Sequence, residues 1–284
     1  MNWNGGPLVL EAARSAIAFG ATAIVVDNGS VDGSLERVAA ELPAARCVRI
    51  GYNAGFAKGC NAGVAAGTGE YVFLLNPDAR IAGGDRSEIA RAFAHDPRVE
   101  VVGPRMTGAN GRWIVSVRTF PTAVVLVLYQ LKLHRLARLI PAMRRYLMLD
   151  FQGDRPVFVD QPMGAAFIMR RRDWERHGGM DEGYFLWFDE VDLAKRVIEA
   201  GGRCLYWPHL VVRHVGGTSF ARLSRSERQR IWNASAARYA RRHLGPAAAA
   251  LTMATFPINR AMAWAADLVD AVRRPERPGD TTSQ

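Results

Sequence analysis

The chain has 284 residues, 49% hydrophobic and 23% charged, a composition that buries a real core and excludes a wholly disordered polymer. Its net charge of +10, with only Lys58, Lys132 and Lys195 as lysines, favours polyanions such as phosphates or anionic lipid, although an arginine-rich genome would raise the same count. Cys47, Cys60 and Cys204 stand far apart with no CxxC pair, which excludes a disulfide framework or zinc cluster and, with the polar start MNWNGG in place of a secretory leader, predicts a cytosolic protein.

Leu10, Ala13 and Ile17 mark the first helix face, and Ala23–Asp27 is a short β-branched strand. A second helix carries Leu35, Val38 and Leu42 and leads into the strand Arg46–Ile50. A third carries Phe56, Cys60 and Val64 and leads into the apolar strand Tyr71–Leu75. Helices and strands alternating over such short connections predict an α/β fold with a mostly parallel sheet, in which ligands bind at the carboxyl ends of strands. Residues 124–145 interleave arginine with leucine, as either an interfacial amphipathic helix or an ordinary surface helix would. A second α/β stretch runs from Val157 to about Val215. The segment from Ser224 to His243 and the run Pro246–Val272 read as helical. Pro257, Asn259 and Arg260 leave that last run without about 20 uninterrupted apolar residues, so it is expected to lie on a bilayer or pack on the domain rather than span. Arg273–Gln284 reads as a solvated tail.

Polar clusters fall at the strand ends. Asp27, Asn28, Gly29, Ser30, Asp32 and Gly33 follow the first strand, where a carboxylate can accept from ribose or base and small residues admit a ligand, although the same residues make an ordinary capped turn. Asn53, Gly55, Lys58, Gly59 and Asn61 open the third helix, whose N-terminus favours anions; the glycines serve close packing equally well. Asn76-Pro77-Asp78 follows the most apolar strand, and Asp78 is placed either to ligate a hard cation or to close a proline turn. Far downstream, Asp189-Glu190 starts a helix behind the apolar run Tyr184–Phe188. The helix dipole favours both carboxylates there, and partial desolvation makes a carboxylate a better base.

The ordered set DNGS-DGS, N-GFA-G-N, NPDA, P-GAAF-MRR, GG-DE-FF, DEVDL and H-GG-S resembles the family 2 glycosyltransferases of GT-A fold, and within them a bacterial rhamnosyltransferase-like branch, over about residues 1–220. Each piece is common, and the specificity lies in their order and spacing. The resemblance implies a Rossmann-like GT-A domain whose nucleotide-sugar half is 1–115 and whose acceptor and catalytic half is 116–220. Residues 221–284, beyond the reach of the resemblance, are expected to form a helical C-terminal region that lies on a membrane or packs on the domain. The resemblance implies that Asp27, Asn28, Asp32, Asn53, Lys58, Asn61 and Asn76 bind the donor and that Asp78 and His214 hold Mg2+ or Mn2+. Glu190 is the implied base of an inverting transfer, with Asp189 as the fallback. The Met163–Ala166 and Gly179–Phe185 segments resemble acceptor-side loops. The implied partners are a nucleotide sugar such as dTDP-rhamnose, a glycan or polyprenyl-diphosphate-linked acceptor, and the inner face of the cell membrane; nucleic acid is not among them, for want of a recognisable module.

The sequence departs from the family in three places. Asn76 replaces the first carboxylate of the DxD metal motif, and Asp189-Glu190 reverses the usual order of its acidic pair. An apolar strand that relatives carry before the NWNGG-like turn does not precede Met1, so either the chain starts upstream or the sheet has a gap. A nucleotidyltransferase would need a Gly- and Arg/Lys-rich loop after the first strand, and none is present; a non-catalytic nucleotide-sugar-binding protein at a membrane is the other alternative.

Overall fold

The computed structural model describes residues 1–216 and 223–273. The Gly-Thr-Ser end of the motif after His214 and nearly all of the expected tail lie outside them.

The first third alternates as its periodicity predicts. α1 (Leu8–Ala18), β1 (Ile24–Asp27), α2 (Ser34–Glu41), β2 (Arg46–Arg49), α3 (Phe56–Ala65) and β3 (Tyr71–Leu75) follow one another over short turns. β1 and β2 pair in parallel as a separate two-stranded sheet. Leu10, Val25, Leu35 and Val38 give the small lobe around them its own apolar core. The opposite edge of β1 carries a single bridge: the Asn2 amide donates to Val26 and the Asn2 carbonyl accepts from the Asn28 amide. β1 and β3 share no ladder.

β4 (Ala79–Gly83), α4 (Arg86–Ala94), β5 (Val99–Thr107), β6 (Trp113–Ile114) and β7 (Val117–Arg118) come next. They are followed by α5 (Ala123–Gln130), α6 (Pro141–Tyr146), β8 (Val157–Val159), β9 (Gln161–Pro162), β10 (Ala166–Arg170), α7 (Arg171–Arg176), α8 (Asp189–Glu199) and β11 (Arg203–His214). The main sheet runs β3-β10-β5-β11-β4, with β6 on β5 and β8 on β11. Only β5 and β11 are parallel within it. The sheet is therefore mixed rather than mostly parallel. Helix–strand alternation stops at β3, because Asn76–Asp78 turns straight into β4 and β10 returns antiparallel to β3. Period-two alternation makes the centre two-faced: Val101, Phe167, Met169 and Tyr206 meet α8 on one side, and Val102, Ile168 and Leu205 meet α4 on the other.

Residues 124–145 are not one amphipathic helix. Lys132 turns left-handed (φ 61°) and Pro141 starts a new helix, so α5, a 3-10 turn (Leu133–Leu136) and α6 replace it, with Val125 and Leu126 buried. The C-terminal region is helical as expected. α9 (Arg225–His243) opens on a Ser224/Glu227 capping box and packs on residues 184–191, while α10 (Pro246–Ala254) and α11 (Phe256–Arg273) pack on α9. Pro246 and Pro257 occupy the first turns of their helices, where a missing N–H costs nothing.

Candidate active site

The loops after β1, β2 and β3 gather with the turn before β10 and the segment 179–188 at one end of the sheet. Gly29 (φ 77°) lies so close to the Tyr52 backbone that a Cβ would stand 2.8 Å from it, which requires glycine where the first two loops cross. Asn28 is fully buried there. Its Nδ2 donates to Asn53 Oδ1 (2.9 Å) and to the Gly55 carbonyl, and its Oδ1 accepts from the Ala54 amide. Asn28 thus ties the loop after β1 to the loop after β2. Asn61 donates to the Met180 carbonyl and to Glu182 and accepts from the Met180 amide, fastening the 179–185 loop to α3.

Asp27 is buried, with Oδ1 accepting from Asn2 Nδ2 (3.1 Å) and Oδ2 from the Ser30 amide (3.1 Å). Asp32 accepts from the Gly6 and Ser34 amides and the Ser34 hydroxyl. Burial works against its charge, but these hydrogen bonds outweigh it and hold the carboxyl below its ordinary range. Both acids thus organise the mouth of the site together with Asn2, whose side chain also reaches Ser30 and Ser34 and which sequence reading missed. Lys58 is exposed and donates to the Tyr52 hydroxyl (3.0 Å). The first amide of α3 is taken by the Phe185 carbonyl (2.7 Å), so the expected anion cradle at that helix start lacks its leading donor.

At the end of β3 the Asn76 amide donates to the Ala165 carbonyl (3.0 Å), while Asn76 Oδ1 is buried without a hydrogen-bond partner. Asp78 and His214 lie side by side because His214 pairs with Ala79 across β4 and β11; His214 Nε2 stands 3.2 Å from Asp78 Oδ1. Two adjacent ligands on an octahedral cation with bonds of about 2.1 Å lie about 3 Å apart, so this spacing fits a shared divalent ion. Among the described residues no third His, Cys, Asp or Glu joins them.

Across the Gly164–Ala165 turn stands Glu190. A Cβ on Gly164 would be 3.1 Å from its Cδ, so any larger residue would press on the Glu190 carboxylate. Asp189 is buried behind it: Oδ1 accepts from the Glu190 amide (3.0 Å) and Oδ2 is buried without a partner. Burial first, and the charge of Glu190 second, push the Asp189 carboxyl well above the usual carboxylate range. Of the pair, Glu190 alone lines the neighbouring cavity, of about 370 Å³, beside Arg118, Tyr129, Tyr146, Trp187 and Trp232. Trp187 and Phe188 both adopt positive φ (64° and 68°), a strained conformation for aromatic residues at the entry to α8. Tyr129 and Trp232 lie parallel at 6.0 Å, and Phe188 meets Trp232 edge-on at 5.6 Å. The lone arginine among those residues, Arg118, is anchored through Nη1 to the Val115 and Val117 carbonyls. The aromatic wall supplied by α5 and α9 was not legible in the sequence, because those helices lie far from Glu190 along the chain.

A parallel β1–β2 unit beside a mixed sheet, with an Asp–His pair and a cavity-facing carboxylate at the loop end, is the architecture of the GT-A fold. A profile of glycosyl transferase family 2 matches residues 2–172, and the chain belongs to that family. Among its relatives is the N-acetylglucosaminyl-diphospho-decaprenol L-rhamnosyltransferase of Mycobacterium tuberculosis, 26% identical over 206 residues. The alignment covers 67% of this chain and 65%, just under two thirds, of that relative's length. Among solved structures, the mannosyltransferase PcManGT of Pyrobaculum calidifontis, in complex with GDP-Man and Mn2+, shares the fold with a TM-score of 0.53 at 19% identity. That match covers 98% of this chain and 74% of the other. GalNAc-T7, solved with UDP, GalNAc and Mn2+, matches with a TM-score of 0.52 at 14% identity, over 72% of this chain and 40% of that one.

Proposed function

We propose that the chain is an inverting, divalent-metal-dependent glycosyltransferase that moves a sugar, rhamnose from dTDP-rhamnose in the favoured case, onto a polyprenyl-diphosphate-linked or polysaccharide acceptor in cell-envelope synthesis at the inner face of the membrane. The observation that carries the reading is Glu190, a carboxylate facing an aromatic cavity and separated by one glycine turn from the Asn76–Asp78 strand end. The donor half is 1–115, the acceptor half 116–220 and the appendage 221–284. The relative's printed acceptor, a sugar on decaprenyl diphosphate, supports a lipid-linked substrate, and the aromatic faces of Tyr129 and Trp232 suit a sugar ring.

In this reading Asp78 and His214 hold the cation, which supplies positive charge against the departing diphosphate. Glu190 takes the proton of the acceptor hydroxyl as that oxygen bonds to the anomeric carbon, whose bond to the diphosphate breaks on the opposite face. One displacement inverts the centre and requires no covalent enzyme intermediate. Asp189, buried and bonded to the Glu190 amide, holds the start of α8 in place behind the base. The test is a panel of nucleotide sugars with Mg2+ or Mn2+ and a lipid-linked acceptor. Metal-dependent nucleotide release from one donor, lost in Glu190→Gln, is expected. A folded chain that binds a donor and releases nothing with any acceptor would mean a binding protein.

A further inference from the structure

α11 is built inside out. A helix on a protein surface normally turns its apolar stripe inward. Here the inward positions are Asn259, Ala263, Asp267 and Asp270, which meet α9 largely through polar contacts. Asn259 and Asn233 exchange two amide hydrogen bonds of 3.0 Å, both residues buried. Asp267 accepts from the Arg225 and Ser226 amides at the start of α9, and Asp270 pairs with Arg225. Ile258, Met262 and Val269 fall on one outward strip, and Trp264 and Leu268 on the strip beside it; all five are exposed, Trp264 by 62%. A contiguous apolar face of this kind marks a binding surface.

Among the described residues, cations without acidic partners stand near it. Arg260 is exposed on α11 and forms no ion pair with any of them, and Asp267 and Asp270 are already committed to α9. Gln130 bonds Thr255 at the start of α11, and Lys132 bonds Gln229 of α9 (2.6 Å). These contacts place the following turn beside the same helices, and it exposes Leu136 and Leu139 with Arg135 and Arg138, which form no ion pair among the described residues. A second copy docking through this face would bring arginine against arginine, whereas an anionic bilayer supplies both an apolar layer and opposite charge. Among the described residues no helix is long and apolar enough to cross a membrane, so contact in the interface plane is the mode the geometry allows.

We infer that the outward face of α11, with the Arg135–Leu139 turn, docks on an anionic lipid surface. This deepens the proposed function, resting on its reading of a lipid-linked acceptor, since α5 and α9, which wall the Glu190 cavity, both pack on α10. The test is flotation of the full chain with phosphatidylcholine vesicles, with and without phosphatidylglycerol and free of any polyprenyl lipid. Wild type is expected to float with the phosphatidylglycerol vesicles, less so at high salt. Trp264→Glu/Leu268→Glu is expected to bind about tenfold more weakly or worse, while melting as wild type does, because both side chains point outward. Three outcomes would overturn the inference: wild type that floats with neither vesicle, a double variant that floats equally well, or a dimer that the double variant splits. Vesicle binding is read without donor or acceptor, so a chain that floats but transfers no sugar fails the functional reading alone.

Discussion

At the scale of single residues, two neighbouring carboxylates carry opposite expectations. In Asp189→Asn the Oδ1 that accepts from the Glu190 amide survives, and burial, which already disfavours the charged carboxyl there, makes a neutral amide of the same shape a close replacement. We expect kcat within about tenfold of wild type, against a fall of roughly 10²–10⁴-fold in Glu190→Gln. Equal losses in the two variants would mean that the pair acts as one unit. Asp78→Asn removes the carboxylate beside His214 and is expected to weaken Mn2+ binding in the presence of nucleotide by about tenfold or more. Titration calorimetry reads this directly, and unchanged affinity would move the cation elsewhere. The sequence already pointed to these three acids, because each follows an apolar strand or run. Residue types alone did not separate Asp189 from Glu190, which only the family resemblance ranked, because burial of one and partial exposure of the other depend on the Gly164 turn and the Trp187–Phe188 backbone.

Between elements, the joint of α8, α9 and the 179–185 loop hangs on Asp192. This carboxylate is fully buried and accepts from Arg196 Nε (2.8 Å), while His243 Nε2 lies 2.7 Å away and Arg242 Nε 3.3 Å away. Arg242 also reaches Asp181, which Arg238 grips too. Burial would raise the Asp192 carboxyl, but the His243 hydrogen bond and the Arg196 charge outweigh it and hold it below its ordinary range. A folded-state value below the unfolded one contributes stability above the unfolded pKa, about 4, and loses it as pH falls through the folded value. Urea midpoints should therefore drop in acid below about pH 4 in wild type, with a smaller acid dependence in Asp192→Asn. Asp192→Ala should cost about 3–5 kcal/mol at pH 7, since it strands buried charge partners. A variant as stable as wild type would show that the joint is packed rather than paired. The sequence placed Asp192 only within the DEVDL run, because two of its partners, Arg242 and His243, come from helix α9, some 50 residues later.

For the whole molecule, the fold class and the helical appendage were legible from periodicity, because helix and strand faces repeat locally. The mixed strand order was not, because pairing β3 with β10 and β4 with β11 joins residues about a hundred apart. That topology makes stability uneven. β5 and β11 sit between neighbours with both faces covered, whereas β1 and β2 form a two-stranded sheet whose free edge holds one bridge through Asn2. Two-stranded sheets are marginal on their own, and the least supported segments open below the global transition. Amide exchange should therefore be faster at 24–27 and 46–49 than at 99–107 and 203–207. A nucleotide seated between the Asp27 loop and the Asp78 turn would tie this lobe to the main sheet and oppose its opening. With nucleotide and Mn2+ at about 100 times the dissociation constant, protection in β1 and β2 should rise by up to about 2.7 kcal/mol, with little change where opening is already global. If protection instead rose only at β5 and β11, the nucleotide would be binding away from the β1 end. The candidate site would then have to be sought on the acceptor side of Glu190.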